Sequence, residues 1–179
     1  GLLNDTLFGP PVRPPLPDGV WKPFSDGPWN EAPVGNPNRY RRSIYTYWKR
    51  SIPFPGFDAF DAPTREVCSS RRLPSNTPLA ALATLNDKAF AEMADGLARR
   101  MKYGTEGDLA TRLTAGFRMA TSVHPTPRQL EIITKLFHEI EKRYQEDAKQ
   151  FEGLAGTSDG TAFVVVAGTL LNMDDALTK

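Results

Sequence analysis

The chain has 179 residues, 40% hydrophobic and 24% charged, with a formal net charge of +1. That length suits one domain of ordinary globular composition, and so small a charge argues against a general binder of nucleic acid. No apolar run approaches the roughly 18 residues that a membrane span needs, and a single cysteine, Cys68, leaves no internal disulfide and no Cys-x-x-Cys-His haem attachment.

Residues 1–37 hold Pro10, Pro11, Pro14, Pro15, Pro17, Pro23, Pro28, Pro33 and Pro37. Proline fixes φ and removes a backbone donor, so this density forbids helix interiors and central strands. An extended arm is expected. Leu7, Phe8, Val12, Leu16, Val20, Trp21, Phe24 and Trp29 are apolar anchors that a disordered linker would lack, so the arm should pack on the rest of the chain with Trp21 and Trp29 largely buried. The expected division is an arm at 1–37 and a helical domain at 38–179.

Asn36 as cap and Pro37 at the first helical position predict a helix start. Tyr40, Ile44, Tyr47 and Trp48 recur at helical spacing, and Pro53 ends the run. Arg39, Arg41 and Arg42 would oppose the dipole of such a helix and need anionic partners. Phe54, Phe57 and Phe60 then punctuate a Pro- and Gly-rich stretch, where the rings are expected to pin irregular backbone to the core.

From Thr77 the pattern becomes regular. Thr77 caps a short helix beginning at Pro78, with Leu79, Leu82 and Leu85 as its apolar residues. Asn86 or Asp87 caps the next, striped by Phe90, Met93, Ala94, Leu97 and Met101 and stopped by Gly104. Asp108 caps a third, with Leu109, Leu113, Phe117 and Ala120, which ends before His124-Pro125. Thr126-Pro127-Arg128-Gln129 is a capping box opening the longest helix, whose face is Leu130, Ile133, Leu136, Phe137, Ile140 and Tyr144. After a polar turn at 153–160, the run Phe163 to Met173 is apolar on every side and reads as a buried helix capped by Asp159, with Val165 and Leu170 at the centre of the core. The fold class is therefore all-α: a single helical domain of about five to seven helices with an extended proline-rich arm.

Chemistry concentrates between residues 38 and 72, where eight Arg and Lys face only Asp58, Asp61 and Glu66. Paired carboxylates can serve as acid and base in glycoside hydrolysis, which makes Asp58, Asp61 and Glu66 the catalytic candidates. Internal pairing is the commoner use of such groups, for instance Asp61 with Arg65 and Glu66 with Arg71. Arg41, Arg42, Arg71 and Arg72 are the candidates to meet an anionic ligand. No metal site is expected, since His124 and His138 have no helical-spacing partner and no thiols cluster. Cys68 is expected to be a small buried hydrophobe, although neighbouring arginines could lower the pKa of an accessible thiol and suit it to redox chemistry.

A specific signature runs through the same region: Arg41-Arg42-Ser43-Ile44-Tyr45-Thr46-Tyr47-Trp48-Lys49-Arg50, Phe60-Asp61-Ala62-Pro63, Arg65-Glu66-Val67-Cys68, and Asn76-Thr77-Pro78-Leu79 running to Leu85-Asn86-Asp87. It resembles the C-terminal domain of unknown function found in planctomycete-type multidomain proteins that often carry a cytochrome-c-like domain upstream. The similarity extends more weakly from Gly9-Pro10-Pro11-Val12 to Leu170-Leu171-Asn172-Met173-Asp174. Ala80 departs from the pattern at a position where many members have glutamine.

The resemblance implies an extracytoplasmic protein and, with Gly1 as first residue, a C-terminal piece of a longer chain. Haem c would then sit elsewhere in the parent, with no cofactor in this segment. The expected partners are upstream domains of the same parent and an anionic polysaccharide, with no nucleic acid and no membrane span. The function read from all this is a scaffold or docking module. The alternative, from a different class, is part of a carbohydrate-active enzyme that uses the carboxylates and arginines on an anionic sugar.

Overall fold

A computed structural model describes residues 1–16, 27–49, 51–71, 75, 77–151 and 160–177. Among these the chain is helical, with seven α-helices: α1 Pro55–Ala59, α2 Pro78–Asn86, α3 Lys88–Tyr103, α4 Leu109–Thr121, α5 Pro127–Glu146, α6 Thr161–Leu171 and α7 Asp174–Leu177. Contacts divide it into two units, Leu2–Ala89 and Phe90–Lys179, the second with Gly1.

In the first unit the proline-rich arm is held by backbone. Asn4 and Arg41, and Val12 and Thr46, form isolated parallel bridges. The Asn4 N–H donates to the Tyr40 carbonyl at 2.9 Å, and Val12 exchanges bonds with Tyr45 and Tyr47 at 2.8 Å each. These bonds explain why the helix expected from Asn36 to Pro53 is absent. Asn36 does cap, accepting from the Asn38 N–H, but only the 3-10 turn Pro37–Tyr40 follows, and a second turn, Ser43–Tyr45, stands apart from it. Main-chain pairing with the arm takes the carbonyls that a continuous helix would need. Ile44, expected on the apolar face, is consequently exposed.

Aromatic rings fill the space that long helices would otherwise cover. Trp29 is half-buried, stacks on Phe54 at 6.0 Å and meets Tyr47 edge-on at 6.2 Å, while Phe57 contacts both Phe54 and Trp48. Its indole N–H donates to the Pro14 carbonyl at 2.8 Å, which satisfies the one polar atom that burial would strand. Trp21, expected to behave likewise, lies outside the described residues. The expectation for Phe54, Phe57 and Phe60 holds in substance, with Phe57 buried and the other two half-buried, although Pro55–Ala59 is helical.

Helix α2 starts as expected, the Thr77 hydroxyl accepting from the Ala80 N–H. Its orientation is the reverse of the expected one. Ala80 and Thr84 are buried, whereas Leu79, Leu82 and Leu85 are 60%, 58% and 60% exposed. Leucines at i, i+3 and i+6 mark one face of a helix, but spacing does not say which face turns inward, and small residues seat this helix.

The second unit has the apolar core. Ala94, Leu97, Ala98 and Met101 of α3, Leu113 and Phe117 of α4, Ile133 and Phe137 of α5, and six residues of α6 bury together. Helix α6 packs against α4, α5 and α7. An all-apolar helix belongs in such a position. Leu170 and Val166 are fully buried, while Val165 is only half-buried, one position off the centre expected for it. The cap expected from Asp159 lies outside the described residues. Asp87, Asp108 and Thr126 each accept the backbone N–H that capping predicts, and Gln129 completes the capping box. Gly116 leaves room for the Met101 side chain of α3: a Cβ there would lie 2.5 Å from the Met101 sulfur.

Candidate functional site

The arginines at the start of the signature are spent largely on the chain itself. Arg39 is 2% exposed. Its guanidinium meets Glu31 Oε1 at 3.5 Å and donates to the Ala32 carbonyl. Glu31 also accepts from Lys88 Nζ at 3.1 Å and from the Leu16 N–H at 3.3 Å. Burial by itself would raise the pKa of Glu31, but the Lys88 and Leu16 hydrogen bonds and the Lys88 and Arg39 charges hold it below the ordinary carboxylate value. Glu31 and Lys88 escaped the sequence reading because partners were sought within residues 38–72, whereas Glu31 lies eight residues before Arg39 in the arm and Lys88 reaches Glu31 from 57 residues away; the available signal was the unfavourable place of Arg39 at a helix start.

Arg41 sits in a cup of main-chain oxygens. Its Nη2 donates to the Phe8 carbonyl at 2.6 Å and the Thr6 carbonyl at 2.8 Å, and its Nη1 to the Pro10 carbonyl at 3.4 Å. The Tyr45 ring lies 3.8 Å from the guanidinium carbon, and the Tyr45 hydroxyl accepts the Phe8 N–H at 2.9 Å. The turn around it needs positive φ at Phe8 (64°) and Gly9 (100°). Arg42 binds Asp5 through Nε at 3.1 Å and Nη2 at 2.9 Å, with both side chains exposed. Two of the four candidate ligand arginines are thus engaged with the arm, Arg71 is exposed, and Arg72 lies outside the described residues.

Asp58 is exposed in α1. Asp61, at φ 52°, accepts from the N–H and hydroxyl of Ser75 at 2.7 Å each. Glu66 is exposed. Arg65, expected to pair with Asp61, instead lies over the Trp48 ring at 4.4 Å. Its φ of 63° is part of the turn that carries it there, where a cation gains from the π-face. Among the described residues no group of His, Cys, Asp and Glu could hold a metal ion. His124 and His138 are exposed. Cys68 is exposed too, contrary to expectation, because the backbone around it is irregular and offers no core face. A cavity of about 180 Å³ in the second unit is lined by Asp95, Arg99, Lys102, Tyr103 and Phe163, among others, and by none of the sequence candidates.

What these features define is a helical module in which Arg41 and Arg42, at the start of the signature, fasten its own arm. The chain belongs to the PSD1 family, proteins of unknown function (DUF1553), whose family model matches residues 1–137. No curated protein and no solved structure matches it.

Proposed function

We propose that the chain is a docking or scaffold module of a larger, exported, cytochrome-c-associated protein of the planctomycete type. The observation that carries the docking half is the leucine face of α2. Three large apolar side chains on one face of a capped helix stand more than half exposed, and contiguous exposed apolar surface marks contact sites. The neighbouring arginines, held by carbonyls and Asp5, support a structural use of the signature. The cytochrome context rests on the resemblance of the signature residues. With one cysteine and no Cys-x-x-Cys-His in this sequence, haem c would be attached elsewhere in the parent.

Two measurements test the reading. Upstream of this segment the full reading frame should encode a haem-attachment motif and an export signal; a frame with neither removes the cytochrome and export context. The upstream part, produced separately, should bind the chain by calorimetry, and the triple change Leu79→Glu, Leu82→Glu, Leu85→Glu should abolish that binding without lowering the melting temperature. Equal binding by the triple variant contradicts the docking role.

A further inference from the structure

We infer that residues 37–47 form a receptor for an extended peptide, and that the N-terminal arm of a second copy of this chain can occupy it in place of the chain's own. The proposal is independent of the α2 reading. Between Asn4 and Val12 the arm is gripped mainly through its main chain: the amide of Asn4 and the amide and carbonyl of Val12 pair with Tyr40, Tyr45 and Tyr47, and Arg41 takes the carbonyls of Thr6, Phe8 and Pro10. Affinity from main-chain bonds with a few selective side chains is the mode by which extended peptides add to an exposed backbone edge.

The side chains that select are few. Asn4 Nδ2 donates to the Pro37 carbonyl at 3.0 Å, Asp5 takes the Arg42 fork, and Val12 is buried. Leu3, Leu7 and Phe8 are left exposed, Phe8 at 81%, so little apolar burial locks this stretch in place. The required pattern is Asn-Asp, a glycine five residues after the Asn, and valine three further on. Asn86-Asp87 has Ala91 and Ala94 at those offsets. The arm itself is therefore the matching segment, and a second copy supplies every contact unchanged, which is the basis of exchanged dimers. Tethering gives the chain's own arm a high effective concentration. Exchange should accordingly appear at high protein concentration or when the resident arm is weakened.

The test uses a fluorescent peptide of residues 1–16 and full-length chains, followed by polarisation, with circular dichroism to verify folding. Asp5→Ala and Arg42→Ala remove the same ion pair from the resident arm, but only Asp5→Ala leaves Arg42 for the incoming peptide. Several-fold tighter binding to Asp5→Ala than to Arg42→Ala is expected. Equal affinity for the first two, or no binding to Asp5→Ala at millimolar peptide, overturns the receptor. For the second copy, chains labelled at Leu3→Cys or at Asn38→Cys, each with Cys68→Ser, should show energy transfer that rises with concentration and is suppressed by the peptide. Its absence where the peptide binds overturns arm exchange.

Discussion

Arg39 and Arg42 carry the same charge three residues apart, yet they differ in what surrounds them. Arg39 is buried against Glu31 and the Ala32 carbonyl. Truncating one member of a buried pair costs about 3 to 5 kcal/mol, and because Glu31 retains Lys88, Arg39→Ala should fall near the lower end. Arg42→Ala should cost about 0 to 1 kcal/mol, as for exposed pairs. Arg65→Ala removes an exposed cation from the Trp48 ring and should cost about 0.5 to 1 kcal/mol. Urea titration of the three variants gives this order directly. Adjacency in sequence had suggested Asp61 for Arg65, but Asp61 accepts from Ser75 and Arg65 lies over the Trp48 ring.

Glu31 also makes the first unit sensitive to acid. Its pKa is lowered on folding from the ordinary value of about 4.5, so the unfolded state binds the proton more readily. The stabilisation is present above the unfolded value and is lost as pH falls through the lowered folded one. Glu31→Gln should therefore flatten the fall in stability below about pH 4.5, measured by urea midpoints against pH. In the second unit, Gly116→Val should cost about 1 to 3 kcal/mol by overpacking, since Met101 fills the space beside it.

Among the elements, the helix starts were the most legible part. Thr77, Asp87, Asp108 and Thr126 cap as the sequence suggests because a cap depends on residues within one turn. Thr126→Ala should cost about 1 kcal/mol, read from thermal melting of the second unit. Which way a helix faces depends on its neighbours, and there the reading failed for α2. Glu in place of Leu79 or Leu82 should change stability by no more than about 0.5 kcal/mol, as for surface positions. Leu170→Asp should cost several kcal/mol, because it buries an unpaired charge at the centre of α6. The helix expected from Asn36 failed for a longer-range reason: its periodic residues are real, but bonds to a segment more than thirty positions away outweigh local preference.

At the scale of the molecule, the all-α class followed from the periodic segments between residues 78 and 171, which fold largely as their patterns indicate. The candidate site was harder to read because its meaning lies in partners from the arm. A cluster of cations looks like a ligand site until Asp5 and the carbonyls of Thr6, Phe8 and Pro10 are brought to it. The central claim is that the signature holds the chain's own N-terminal arm. Hydrogen exchange at the amides of Asn4, Val12 and Tyr47, which donate across that contact, tests it most directly. The account predicts protection in the wild type and its joint loss in Arg41→Ala, with α5 amides unchanged. Rapid exchange at all three in the wild type, or protection that survives Arg41→Ala, would contradict it.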